Sequence, residues 1–335
     1  MFVELLRSET AASPERRAAA LKGLRAYQQA ARPAPRAPKP AIATVGRASL
    51  RDYGGHGMPV VFVPSLINPP QVLDLARGNS LLRWLARQGV RPMLVDWGAP
   101  TPEERNMDVT AHVEQLLMPM LAALPRPPAL VGYCLGGTMA MAAACAMPVR
   151  ALAVIAAPWH FGRYGAAPLG GIDALWHQAE PVCDHLGLVP MEVLQAGFWQ
   201  LDPARTVAKF EKFGRLRRGS AAARQFVVLE DWANGGAPLP YAAGRQMFDD
   251  FFAADLPGNG RWRVGGVAAD PAKLACPAVE FISATDRIVP AASAANLPDH
   301  RTLRAGHVGM MIGGSARAQL WEPLADWLTG LRGTR

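Results

Sequence analysis

The chain has 335 residues, half of them hydrophobic, and a net charge of +8. That length and apolar content build one large core or two small ones and exclude a disordered or fibrous chain. Four cysteines without paired spacing argue against a disulfide framework or a zinc site and fit a reducing compartment, while dispersed arginines without interleaved aromatic rings argue against nucleic acid.

Residues 1–40 read as an N-terminal helix and a linker. Ser13-Pro14-Glu15 is a helix start, with Leu21, Leu24 and Tyr27 continuing at helical spacing. Pro33, Pro35, Pro38 and Pro40 stiffen the segment that follows, and its basic residues are expected to keep it solvated. No secretory leader and no membrane-spanning run is expected. Residues 42–52 read as one strand. Residues 59–64 are a buried strand, and Ser65-Leu66-Ile67-Asn68 form the loop after it, which Asn68 is placed to hold. A helix over 80–88 ends at Gly89, and a strand over 92–97 ends at Asp96, which reads as a tie for the next loop. A helix over 107–123 leads to a strand at 127–131, a helix at 139–145 and a strand at 151–156. This alternation predicts an α/β fold with a mostly parallel central sheet flanked by helices.

Between 162 and 267 the alternation stops. The stretch is helical and rich in rings, among them Trp176, Phe198, Phe248 and Phe252. It reads as a helical cap inserted into a core made of 41–161 and 268–335, with most rings packing the cap and a few lining a substrate tunnel. The sheet resumes at 276–282 and ends at Thr302-Leu303, and a helix over 318–331 closes the chain.

The most informative stretch is Val131-Gly132-Tyr133-Cys134-Leu135-Gly136-Gly137-Thr138. A buried strand, Gly-x-Cys-x-Gly and a small-residue helix form a nucleophile elbow with Cys in place of Ser. Gly132 and Gly136 keep side chains out of a tight turn, and the helix N-terminus favours negative charge on the Cys134 sulfur. The Leu135 backbone N–H would meet an oxyanion, and Leu66 or Ile67 would supply the second donor. Asp286 follows a strand, and His307 sits in a glycine-flanked loop. Cys134, Asp286, His307 is the nucleophile–acid–base order of the α/β-hydrolase fold. In that arrangement His307 takes the thiol proton and Asp286 fixes its tautomer. Cys145 and Cys276 read as core. Cys183-Asp184-His185 cannot readily converge on one ion, so no metal is expected. His160, at a strand end, is a candidate to touch substrate.

These residues resemble a known family. Gly132-Tyr133-Cys134-Leu135-Gly136-Gly137 resembles the lipase-like box of the polyhydroxyalkanoate synthases. Similar segments include Asn68-Pro69-Pro70-Gln71-Val72-Leu73-Asp74-Leu75, Val95-Asp96-Trp97-Gly98-Ala99-Pro100 and Leu229-Glu230-Asp231-Trp232-Ala233-Asn234. Asp286-Arg287-Ile288-Val289-Pro290 and Gly306-His307-Val308-Gly309 resemble the acid and base motifs. The resemblance implies an α/β-hydrolase fold and an acyltransferase that polymerises (R)-3-hydroxyacyl-coenzyme A, loading the acyl group on Cys134 and releasing coenzyme A. It implies no cofactor beyond the coenzyme A of the substrate, and a substrate-binding set of Asn68, Tyr133, His160 and Trp232. It also implies a homodimer at a polyester granule surface in the cytoplasm. The short N-terminal region looks like that of the two-subunit synthases, so a second synthase subunit is an expected partner. The chain departs from the family at Gly235 and Gly236, where an acidic residue is usual, and at His160, where an acid is frequent.

Two other readings stand beside this one. The same triad suits a hydrolase: a thioesterase, a polyester depolymerase, or a relative of the dienelactone hydrolases, which share the Gly-x-Cys-x-Gly-Gly box but lack so large a cap. The other is an inactive granule-associated subunit, against which the complete Cys134, Asp286, His307 set argues.

Overall fold

The computed structural model describes residues 2–34 and 36–331. Met1, Pro35 of the predicted linker and residues 332–335 at the end of the predicted core lie outside them. The centre of the molecule is an eight-stranded sheet. Its strands are β1 (Ala41–Val45), β2 (Ala48–Asp52), β3 (Met58–Val63), β4 (Val90–Asp96), β5 (Ala129–Tyr133), β6 (Ala151–Ile155), β7 (Ala278–Ser283) and β8 (Asp299–Leu303). Their spatial order is β1-β2-β4-β3-β5-β6-β7-β8. The pairs from β4 through β8 are parallel, and β2 joins antiparallel to both β1 and β4. Strands β5 and β6 are buried at every residue, which is why they read as continuous apolar runs: helices cover both faces of a parallel sheet.

The order reverses around β3. The chain leaves β3 for β4 on one side and returns to β5 on the other, so the loops at the C-terminal ends of β3 and β5 diverge and open a crevice there. The Ser65–Asn68 loop and Cys134 both stand at that crevice.

Two expectations are corrected. Residues 42–52 form a hairpin rather than one strand. Gly46, at φ 54°, takes the turn between β1 and β2, a conformation glycine adopts without strain. The proline-rich segment is exposed, but its cations do more than keep it solvated. Arg32 bonds both carboxylate oxygens of Asp231 at 3.1 Å, and Arg36 pairs with Asp74 at 3.0 Å and reaches the Asp74 carbonyl. The partners lie far along the chain, where local composition gives no sign of them. The N-terminal region holds two helices, Phe2–Glu9 and Pro14–Gln28, the second capped by the Ser13 hydroxyl. A Cβ at Gly23 would stand 1.8 Å from the Phe210 carbonyl oxygen, so the second helix crosses Pro203–Phe213 in direct backbone contact.

No strand of the central sheet lies between β6 and β7. That stretch carries the helices Ala166–Leu186, Met191–Leu201, Pro203–Phe213 and Ala221–Asn234, then a helical run over 241–253. Trp176 fixes part of it: its indole N–H donates to Asp249 at 2.8 Å, and its ring stacks on Phe248 at 4.6 Å. Among the described residues, no helix is long and apolar enough to cross a membrane.

The β1–β2 turn reaches into a buried polar chain. Arg47 bonds Glu104 at 2.6 Å and His112 Nε2 at 2.6 Å. A guanidinium only donates, so Nε2 accepts, and Nδ1–H donates to the Asp108 carbonyl at 2.6 Å. Burial, and then the Arg47 charge, push the His112 pKa down to about 4. The unfolded chain takes up this proton near pH 6.5 and the folded chain only near 4. His112 therefore draws stability down as pH falls through that window, by on the order of 3 kcal/mol at full extent. Urea unfolding of the intact chain between pH 7 and 4 checks this. His112→Gln flattens the acid-side decline; an equally steep decline in the variant overturns the assignment.

Candidate active site

Cys134 sits between β5 and the helix Leu135–Ala146 with φ 56° and ψ −135°, a conformation side-chain-bearing residues avoid. Its N–H donates to the Ile155 carbonyl at 3.0 Å, and its own carbonyl accepts from Gly137 N–H at 2.8 Å. The surrounding backbone leaves no room for side chains. A Cβ at Gly136 would lie 2.2 Å from the Val63 carbonyl oxygen, one at Gly132 2.4 Å from Gly137 Cα, and one at Gly137 2.4 Å from Ala157 Cβ. Gly132 and Gly136 behave as the elbow requires, and Gly137 adds a third close approach, against Ala157 just past β6.

Asp286 and His307 meet at the ends of β7 and β8. His307 Nδ1 and Asp286 Oδ2 are 2.6 Å apart, and both side chains are buried. The other carboxylate oxygen, Oδ1, accepts from the N–H groups of Ile288 at 2.8 Å and Val289 at 3.0 Å. Asp286 is thus fixed by its own loop and in turn fixes the imidazole. Burial opposes a charge on His307, but the facing Cys134 and Asp286 outweigh it and raise its pKa to about 10. Cys134 lies close enough to the ring to favour its protonated form.

Four residues assigned to substrate binding from the sequence have structural partners, and none of them lines the cavity beside Cys134. Tyr133 stacks on the His307 ring at 4.9 Å, and its hydroxyl donates to the His307 carbonyl at 3.1 Å. As a strand residue packed beneath the histidine, it supports that ring from below. Trp232 donates its indole N–H to the Pro69 carbonyl at 2.8 Å, and Asn68 donates to the Ala233 carbonyl at 3.3 Å. Together they clasp the loop after β3 to the end of the helix Ala221–Asn234. His160 is half-buried, with its backbone N–H on the Ser293 carbonyl at 2.9 Å. Of the two expected second oxyanion donors, Ile67 spends its N–H on the Ser65 hydroxyl at 3.1 Å. Asp96 accepts from Gly98 N–H at 3.3 Å and Arg51 at 2.7 Å, the loop tie read from the sequence. Asp184 pairs with Arg105 at 2.6 Å, and Cys183 is buried in the core.

A cavity of about 110 Å³ opens beside Cys134 and Leu135. Phe161, Tyr164, Phe198, Phe248 and Phe252 form much of its wall. Sequence reasoning expected a few cap rings to line a tunnel without naming which, and passed over Tyr164, which lies four residues beyond His160 in the segment after β6. A much larger cleft, about 1330 Å³, lies between the helix Pro14–Gln28, the proline-rich segment and the sheet edge, and shares no lining residue with the first. The smaller cavity is the relevant one, because it contains the nucleophile candidate.

No protein-family model matches the chain. Over 288 residues it is 25% identical to the poly(3-hydroxyalkanoate) polymerase subunit PhaC of Haloferax mediterranei, covering 81% of this chain and 58% of that one. The PhaC subunit of Haloarcula marismortui is 24% identical over 292 residues, covering 82% and 62%. That of Allochromatium vinosum is 24% identical over 290 residues, covering 81% and 80%. The chain therefore spans only about three fifths of the length of the two archaeal relatives. Among solved structures, VinJ aligns with 89% of this chain and 100% of its own at TM-score 0.52 and 16% identity. The esterase EaEST of Exiguobacterium antarcticum aligns with 86% and 97% at TM-score 0.50 and 15% identity. At that identity the structural likeness speaks to fold alone. In sequence the chain is similar to the PhaC subunits of poly(3-hydroxyalkanoate) polymerases, and it has an α/β-hydrolase fold.

Proposed function

We propose that this chain is an acyltransferase of the polyhydroxyalkanoate synthase type, acting on (R)-3-hydroxyacyl-coenzyme A through Cys134, His307 and Asp286. The carrying observation is Cys134 held at a strained elbow close to a buried His307–Asp286 couple. His307 Nε2 takes the thiol proton. The sulfur attacks the thioester carbonyl, the bond to coenzyme A breaks, and the proton leaves with the coenzyme A thiol. His307 then takes the proton of a 3-hydroxyl, whose oxygen attacks the acyl-Cys134 carbonyl; the ester bond forms, the carbon–sulfur bond breaks, and the proton returns to the Cys134 sulfur. Asp286 keeps Nδ1 protonated and stabilises the cation. The Leu135 N–H at the helix start is one oxyanion donor, and the second role falls to Leu66, since Ile67 N–H is engaged.

Transfer rather than hydrolysis is favoured by two observations. Thioester-to-thiol exchange is nearly neutral in energy, so Cys134 can hold an acyl group and pass it on. The cavity wall is almost wholly apolar and offers water few partners. The PhaC relatives support the same choice. In this reading residues 162–267 are the cap, the enzyme works as a homodimer at a polyester granule surface in the cytoplasm, and a second synthase subunit completes it.

Two variants and one assay test the proposal. Purified protein is mixed with (R)-3-hydroxybutyryl-coenzyme A while thiol release, sedimentable polyester, soluble 3-hydroxybutyrate and the intact mass are followed. Wild type releases coenzyme A and forms polymer; soluble acid alone would make it a thioesterase. Cys134→Ala yields no acyl-enzyme, and an unchanged rate would remove the central claim. Asp286→Asn lowers kcat by roughly 10³- to 10⁴-fold while loading stays detectable, by analogy with tautomer loss in a serine triad. Wild-type turnover in that variant would place the acid elsewhere.

A further inference from the structure

The cavity beside Cys134 poses a chemical problem for any 3-hydroxyacyl group. Its lining is Ile, Leu, Val, Phe, Pro, Gly and one Met, apart from two residues. Those two are Cys134 and Tyr164. An acyl chain entering this space carries a hydroxyl two carbons from the reacting carbonyl, and a hydroxyl without a partner in an apolar cavity is costly. The Tyr164 phenol is the polar side-chain group that the wall offers besides the nucleophile itself.

The surroundings of Tyr164 suit that task. It ends the short helical turn Phe161–Tyr164 that follows β6. Its ring lies almost parallel to Phe161, 6.1 Å away, and edge-on to Phe252 at 5.2 Å. The ring is therefore fixed by packing, and the hydroxyl position is fixed with it. The Ser293 hydroxyl is spent on the Pro290 carbonyl, to which it donates at 2.7 Å. A phenol both donates and accepts, so Tyr164 can bond a substrate hydroxyl in either sense. Burial pushes the Tyr164 pKa well up, so it remains a neutral phenol across the working range.

We propose that Tyr164 is the group that recognises the acyl 3-hydroxyl, and so sets the preference of the site for 3-hydroxyacyl over plain acyl thioesters. The proposal rests on the functional reading above. It adds a specificity determinant on the segment after β6, distinct from Asn68, Tyr133, His160 and Trp232, whose side chains or backbone are engaged elsewhere.

The test compares (R)-3-hydroxybutyryl-coenzyme A with butyryl-coenzyme A, which lacks only the hydroxyl. Single-turnover loading of Cys134 is followed by intact mass in wild type and in Tyr164→Phe, a change that keeps the ring packing. Wild type loads the hydroxyacyl substrate about tenfold or more faster at subsaturating concentration. In Tyr164→Phe that ratio falls to within about twofold, through slower loading of the hydroxyacyl substrate with butyryl loading unchanged. Alkylation of Cys134 by iodoacetamide stays at the wild-type rate in the variant, which separates a specificity role from damage to the nucleophile. A ratio unchanged by the substitution overturns the role of Tyr164 and leaves the functional reading standing. Failure of both thioesters to load a Cys134 that iodoacetamide still alkylates overturns the functional reading, and this inference with it.

Discussion

The backbone at Cys134 is bent into a region that a residue with a Cβ enters at a cost of about 1–3 kcal/mol, and it stays there because its neighbours permit nothing else. The β5 strand ends on one side and the helix Leu135–Ala146 begins on the other, both pinned by main-chain bonds to Ile155 and Gly137. Three glycines let this turn sink against β3 and the segment just past β6 at distances a methyl group would prohibit. Cys134 and Leu135, the first residue of the helix, line one cavity at the end of the sheet where the strand order reverses. The site thus takes its geometry from main-chain packing, and its side chains are added to a frame already in place.

The loop after β3 is the second part of that frame, and it is held from three directions. Gly136 packs against Val63 and Pro64 where the loop begins. Trp97 donates its indole N–H to the Pro64 carbonyl at 3.0 Å from beneath, and its ring meets His112 edge-on. Trp232 and Ala233 hold the far end through Pro69 and Asn68. The buried Arg47–His112 contact therefore connects the sheet-edge hairpin to the loop through one aromatic ring. A neutral imidazole is what makes the contact tolerable: a second positive charge 2.6 Å from the guanidinium would be repelled in a low-dielectric interior.

What was legible in the sequence follows from range. The elbow, the buried strands and the ends at which Asp286 and His307 lie are local patterns, encoded in a few consecutive residues, and they read correctly in kind. The hairpin at 41–52 was missed because Gly46-Arg47 is a short turn inside a run that otherwise looks extended. The clasps of Arg32 on Asp231 and Arg36 on Asp74 were missed because the partners lie far apart along the chain. The same limit explains Tyr133, Trp232 and Asn68. Their motifs marked them as special, but motif position does not tell whether a ring points at a ligand or at the back of a catalytic group. For Tyr133 strand alternation carried the hint: in β5 it stands next to Cys134 in the chain, so its side chain sets off to the other face.

Nucleophile and cavity make sense together. A thiol that must hold an acyl group between two transfers gains from an environment in which water, the competing acceptor, finds few hydrogen-bond partners. An apolar wall provides that, but it also removes partners from any polar atom on the acyl chain. One fixed phenol in an otherwise apolar wall meets both requirements, because it satisfies one hydroxyl at one distance and offers no second site around which a water cluster could form. Side-chain polarity in this cavity is confined to two places where the chemistry proposed here needs it: the sulfur that bonds the acyl carbon, and the phenol beyond it.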